Sequence, residues 1–517
     1  MEEFLRGVYD SLVEHFVKKI ESDLGDRIKS VYLCGGMGRG EFTPPKSDID
    51  MNIVLDFTSL DHEIDCLSKL RKIYKDTFKS KATKSVAKHL FISFPDEFWW
   101  WLHDPYYHLV WVRKLIYGED IEKTLPINEE KFNVNCLRDL IWTLSGAEVD
   151  ICSFNIPLTC FYIRLALWAL QNRHVLKNVD AIEAFKELYP EFNGFLSKIQ
   201  QSITKRRLKD QDVVGMVNDR FLLFRQLDED LKRKNLEQTL LKRLTREAPL
   251  PSKFESGPST WMDKKEVEFF HDLSAKMKTI CNSYFRSALV YQDSWLSDVS
   301  LFIIIGDDTP SEIVKELIKE AHDRSTRNVF KDYNISLMTE SQTARIIKFL
   351  PYSLYKFKTG ILLGEDFFGN MQFGDFKHYP VSLFDEWWYP QFLSIRTRYV
   401  ISDPYERNRW NFSGVIPSIS DVLLEILRFS LVLRHNLLAV TSEATLREAK
   451  AKLPGIDVEF AEKVYELENR KDSNSLKESM WLNDKLIPKT REYKDFYLEC
   501  IDKHGFSGDV SLQHYKK

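Results

Sequence analysis

A chain of 517 residues is too long for one hydrophobic core and divides into two to four domains. With 44% hydrophobic and 29% charged residues, and only 20 Gly and 18 Pro, its composition excludes the disordered, fibrous and low-complexity classes. The net charge of -4 supplies no global field that would draw the protein onto nucleic acid or anionic lipid, so a large polyanion is not the default partner.

The seven cysteines are scattered, with no CxxC or Cys/His spacing that suggests zinc, and their odd number argues against a disulfide framework. They read as reduced, buried thiols. No apolar run approaches the ~20 residues of a membrane span. The expectation is a soluble, cytoplasmic protein with no membrane partner.

In chain order, Glu2 to Leu24 has the apolar spacing of an amphipathic helix. Ser30 to Cys34, short and rich in β-branched and aromatic residues, reads as a strand. It runs into GGMGRGEFTPPKS, Gly35 to Ser47, which holds four glycines and two prolines. Asp48 to Leu55 follows as a second strand. Residues two apart on a strand share a face, so Asp48 and Asp50 point together while Ile49, Met51, Ile53 and Leu55 pack behind. Two adjacent carboxylates repel unless a cation lies between them. Mg²⁺ (or Mn²⁺) suits them, because it takes one or two protein carboxylates and completes its shell with substrate phosphates and water. The loop at Gly35, Gly36 and Gly40 lets backbone N–H groups approach phosphate, and Arg39 adds a guanidinium whose fork matches phosphate oxygens.

This constellation resembles the DNA-polymerase-β-like nucleotidyltransferases, whose signature is Gly-Ser, a spacer and Asp-x-Asp. Here Gly35-Gly36 is followed by eleven residues and then Asp48-Ile49-Asp50. Arg39-Gly40 and Ser47 fit the small-substrate branch, which includes the aminoglycoside adenylyltransferases. The resemblance implies ATP as substrate, Mg²⁺ on Asp48 and Asp50, and nucleotide contacts from Gly35, Gly36, Arg39, Gly40 and Ser47. Gly36 departs from the pattern by standing where the family has Ser, which removes a hydroxyl contact to the triphosphate.

The superfamily carries a third carboxylate on a neighbouring strand. The neighbouring strand here, Lys88 to Phe94, has none, and His89 stands nearest that position. A neutral imidazole can accept a proton from an acceptor hydroxyl, and a strand histidine in an ordinary polar contact is the alternative. Asp96 and Glu97 follow the strand, either reaching back to the site or capping a helix. Trp99-Trp100-Trp101 cannot share one helix face and reads as core and interface packing.

The sequence also repeats itself. Lys88 to Asp120 aligns without a gap on Asn334 to Asp366, including Pro105-Tyr106 with Pro351-Tyr352 and Gly-Glu-Asp at 118–120 and 364–366. Ser30 to Phe57 parallels Ser287 to Asp307, each behind an amphipathic helix, the second near Lys264 to Phe285. Helical runs opening at Arg164 and Arg428 both end at a proline. Lys177, on the first of these runs, matches a triphosphate-holding lysine of the aminoglycoside adenylyltransferases, with a solvated helix-end lysine as the alternative. Arg246 to Ser259, rich in Pro, Ser and Gly, is the expected join. In the second half the loop has no glycine, Asp298 is kept and Ser300 replaces the second aspartate, so that half is expected to be silent. Arginines and tryptophans between Asn370 and Phe412, among them Arg396, form either a nucleic-acid or phosphate surface or a decorated interdomain face.

The reading is α+β, in two repeats, each a mixed sheet with helices followed by an all-helical domain. The expected segments are 1–130 (active nucleotidyltransferase), 131–246 (helical), 260–415 (degenerate nucleotidyltransferase-like) and 416–517 (helical). The expected molecule is a monomer or weak dimer with its repeats packed as a pseudo-dimer. Its expected reaction moves a nucleoside monophosphate, AMP from ATP, to a hydroxyl of a small-molecule acceptor with release of pyrophosphate. The alternatives are a nucleotide-binding or sensing protein without turnover, or a toxin-like transferase acting on tRNA or protein.

Overall fold

The computed structural model describes residues 2–41, 48–56, 59–78, 88–95, 97–98, 102, 105, 108, 113–125, 129–144, 151, 154–205, 210–236, 245–246, 264–292, 299–327, 333–349, 358–365, 379–380, 396, 399–400, 419–435, 437, 439, 442–469 and 476–503. Ser47, Trp99 to Trp101, Asp96, Asp298, residues 247–259 of the expected join and, apart from Tyr379-Pro380, Arg396, Tyr399 and Val400, the Arg/Trp segment lie outside them.

The first α/β segment runs α1 (Glu2–Leu24), β1 (Ile28–Cys34), α2 (Gly35–Arg39), β2 (Ile49–Leu55), α3 (Leu60–Phe78), β3 (Lys88–Ser93), β4 (Lys114–Gly118) and α4 (Ile121–Thr124). A helix α5 (Glu129–Leu144) leads to α6 (Ile156–Gln171), α7 (Asn178–Leu188), α8 (Asn193–Lys205) and α9 (Asp210–Arg233). After the short β5 (Thr245–Arg246), the second α/β segment runs α10 (Lys264–Cys281), β6 (Phe285–Gln292), β7 (Val299–Ile305), α11 (Ser311–Arg327), β8 (Tyr333–Thr339), α12 (Glu340–Phe349) and β9 (Lys358–Gly364). Then come β10 (Tyr379–Pro380), paired with β5, and the helices α13 (Ile419–His435), α14 (Ser442–Lys452), α15 (Val458–Asn469) and α16 (Leu476–Lys503). The molecule is α+β.

Both four-stranded sheets are mixed and share one order, β3-β2-β1-β4 and β8-β7-β6-β9. In each, the central pair is antiparallel and one outer strand is parallel to its neighbour. Alternation sorts the first sheet by face. Val31, Leu33, Ile49, Met51, Ile53, Leu55, Leu90 and Ile92 bury against α1 and α3, as expected for β2. Tyr32, Cys34, Val54 and Phe91 lie on the other face with Phe98, Leu102 and Ile121.

The Gly-Glu of the repeated Gly-Glu-Asp is a turn device in both sheets. Gly118 has φ +81° and Gly364 φ +92°, and a Cβ at either would overlap the carbonyl oxygen of Lys29 or Arg286 on the next strand. The following N–H groups, Glu119 and Glu365, donate to those same carbonyls at 2.9 and 3.0 Å. The Ser30 and Ser287 hydroxyls donate to the Glu119 and Glu365 carbonyls.

The helical run from Arg164 to Pro190 is two helices. Asn172, left-handed at φ 50°, ends α6 with its N–H returned to Trp168 O, and Pro190 opens a single 3-10 turn after α7. At the other end of α6, the Asn155 side chain caps by accepting from Leu158 N–H at 3.0 Å.

The chain forms two compact units that cut across sequence order. Unit 1 comprises 1–132, 382–437 and 442–517, and unit 2 comprises 133–381 with 438–441. Unit 1 therefore holds the first α/β segment with α13 to α16. Its core includes Val400 and Ile487. Unit 2 holds α6 to α9 with the second α/β segment, where Ile151, Val217 and Phe221 join the core under β6, β7 and β8. Among the described residues, six cysteines, Cys34, Cys66, Cys136, Cys160, Cys281 and Cys500, are buried and outside any disulfide. Among the described residues, no helix is long and apolar enough to cross a membrane.

Candidate active site at the end of the first sheet

The site lies in unit 1 where β1 ends and β2 begins. Gly35 to Ser47 was expected as a loop, but its first five residues form the short helix α2. The extended residue Cys34 precedes it, and left-handed Gly40 closes it with an N–H directed at the Gly36 and Met37 carbonyls. Glu41 N–H also returns to Gly36 O at 2.8 Å. The earliest amides of such a turn have no acceptor within the helix.

Asp48 and Asp50 are both half-buried, Asp48 just ahead of β2 and Asp50 within it. Asp50 lies directly against the glycine turn. A Cβ on Gly35, which has φ +60°, would overlap Asp50 Oδ2 and sit 3.3 Å from its Cγ. This close approach gives glycine at 35 a steric reason that the sequence alone leaves open.

One row of residues crosses the end of the sheet. Cys34 pairs with Asp50 across β1 and β2, and Asp50 pairs with His89 across β2 and β3. Leu33 pairs with Lys114, so continuing that register by one residue sets Arg113 opposite Cys34. The row reads Arg113, Cys34, Asp50, His89. The Cys34 thiol is pushed far up, first by burial and also by Asp50 and Glu122, while Arg113 acts in the opposite direction. Tyr9 of α1 is likewise raised, first by burial and then by the Asp48 charge.

Arg39, expected to serve phosphate, donates from Nε to Glu41 Oε2 at 2.9 Å. Lys177 is exposed at the start of α7 and belongs to unit 2. Glu97 does not serve as a third site acid. Its Oε2 accepts from Phe94 N–H at 2.9 Å, and its carboxylate binds Arg396 at 2.7 Å and Lys494 at 3.2 Å. Arg396, one of the arginines read as a phosphate surface or a decorated interdomain face, is 1% exposed between Glu97 and Glu63.

Several residues near the site carried no sequence signal. Arg113 is bidentate to Glu122 at 3.2 and 3.1 Å, with its guanidinium 5.4 Å from the Phe98 ring centre. The Tyr32 ring stacks on Phe98, and its hydroxyl donates to Asp120 Oδ1 and accepts from Glu122 N–H, each at 3.3 Å. Asn52, buried two residues beyond Asp50, accepts from the Ser93 hydroxyl at 3.0 Å and leaves Nδ2 without a hydrogen-bond partner. Only their distant pairing partners reveal these residues.

The donor set fits a hard divalent cation. Asp48 and Asp50 are carboxylates of one strand end, and Gly35 leaves open the space beside Asp50 that a Cβ would fill. Among the described residues, no group of three or more His, Cys, Asp or Glu is gathered for a metal.

No family model and no curated protein matches the chain. Among solved structures, it is similar to a spectinomycin adenyltransferase from Enterococcus faecialis, solved with ATP and spectinomycin. The identity is 18%, covering 43% of this chain and 98% of that one, with a TM-score of 0.31.

Proposed function

We propose that this chain is a nucleotidyltransferase that moves AMP from ATP to a hydroxyl of a small-molecule acceptor. The observation that carries the reading is the Asp48–Asp50 pair at a sheet end, with Asp50 set against a glycine turn that leaves no Cβ in its way. Asp48 and Asp50 hold Mg²⁺, which when bound neutralises charge on the α-phosphate and the departing pyrophosphate. The amides at Gly35 and Gly36 face phosphate oxygens, and Gly40 shapes the turn. Arg39 and Ser47 belong to the same nucleotide loop, Arg39 exchanging Glu41 for phosphate on binding. The acceptor oxygen bonds to the α-phosphorus as the bond to pyrophosphate breaks, and His89, level with Asp50 on the next strand, takes the acceptor proton.

The chain is a tandem duplication in this reading, supported by the shared strand order and the twin Gly-Glu turns. Its second half is silent, because Ser300 pairs where Asp50 does in the first sheet. A second reading, nucleotide binding without turnover, is favoured by the strand beside β2, which brings a histidine rather than an acid level with Asp50. Pyrophosphate release from labelled ATP, tested across small polyols and aminoglycosides, tRNA and protein, separates the two. Release with one acceptor class supports transfer. Mg²⁺-dependent ATP binding with no release from any acceptor supports the sensor.

A further inference from the structure

The geometry points to Arg113 as a positioning residue for the Asp48–Asp50 pair, a fixed positive charge that steadies the carboxylates before a divalent cation arrives. This rests on the reading that the pair holds a metal.

Arg113 is built in rather than solvated. Its side chain is 1% exposed, fixed by two hydrogen bonds to Glu122 and by the Phe98 ring. Its place in the row, two strands from Asp50, puts the backbones about 10 Å apart at ordinary strand spacing. Cys34 stands between them, and both charges act on its thiol. Across several ångströms of protein, a unit charge is felt strongly by a divalent cation. The second sheet supplies a comparison. There the corresponding row is Thr359, Tyr291, Ser300, Asn334. The acid and the arginine are both replaced by neutral residues, as expected if the cation's purpose is to serve the acid. Glu122 tunes the effect by partly neutralising Arg113.

The electrostatics give two variants opposite signs. Mn²⁺ is the probe, titrated into the nucleotide-free full-length chain and followed by the loss of free-ion electron paramagnetic resonance signal. Arg113→Met removes positive charge and should tighten Mn²⁺ binding about fivefold. Glu122→Gln leaves Arg113 less neutralised and should weaken it about fivefold. Arg113→Lys should stay near wild type. Packing alone would move both variants in the same direction, so changes of equal sign, or none in a folded Glu122→Gln protein, overturn the proposal. A wild-type chain whose Mn²⁺ binding survives Asp50→Asn removes the underlying metal reading instead, and the proposal with it.

Discussion

Asp48 lies just ahead of β2 and Asp50 within it, and Gly35 keeps the space beside Asp50 free of a side chain. Gly35→Ala puts a Cβ into that carboxylate and imposes an unfavourable positive φ, so MgATP affinity should fall at least about tenfold by calorimetry. Gly7→Ala, on α1 with nothing within 4 Å, is the control and should leave affinity unchanged while stabilising slightly. At this scale the sequence was informative where chemistry is local. Alternation along Asp48 to Leu55 separates acids from core residues without any tertiary information. Arg113 could not be found that way, because its role comes from strand register and from Glu122, Phe98 and Cys34, none of which marks it in the linear pattern. Arg39 is the converse case: a residue type suited to phosphate that is engaged by Glu41 two residues away.

The elements around the sheet depend on a buried ionic cluster within unit 1. Glu63 of α3 and Glu97 are fully buried. Arg396 bridges them, Arg491 of α16 completes Glu63, and Lys494 completes Glu97. Arg396 also lies over the Phe94 ring, 4.2 Å from its centre. Arg396→Met leaves two buried carboxylates short of partners and should cost about 3–5 kcal/mol in denaturant unfolding. Burial alone would raise the Glu97 carboxyl, but Arg396, Lys494 and the Phe94 N–H outweigh it and hold it below its ordinary value. A depressed folded pKa contributes stability that is present above the unfolded value and lost as pH falls through the folded one. The stability gap between wild type and Glu97→Gln should therefore be full near neutrality and close in acid, below about pH 4.5. None of this was legible beforehand, because the partners come from three distant stretches of chain. The glycine stretch was legible as a break after β1 but not as a helix, since its closure depends on the backbone of Gly40. The Gly-Glu-Asp repeat was visible, whereas its purpose as a strand-end turn needed the partner strand.

At the scale of the whole molecule, unit 2 is nearly continuous in sequence, and the parts of unit 1 lie on either side of it. The fragment 133–381 should unfold cooperatively by itself in a circular-dichroism melt. A fragment 1–247, which divides both units and strips Glu63 and Glu97 of Arg396, Arg491 and Lys494, should not. Helix and strand periodicities indicated the α+β class and the order of elements. They carried no information on which helices complete which core, since that choice is made by side chains hundreds of positions apart. The proposed transfer depends on a divalent cation shared by Asp48 and Asp50 beneath a nucleotide. Calorimetric titration of ATP into the full chain and into Asp48→Asn/Asp50→Asn, each with Mg²⁺ and with EDTA, tests it directly. The wild type should bind ATP in a Mg²⁺-dependent way, and the double variant should lose that dependence. Equal Mg²⁺ dependence in both proteins would contradict it.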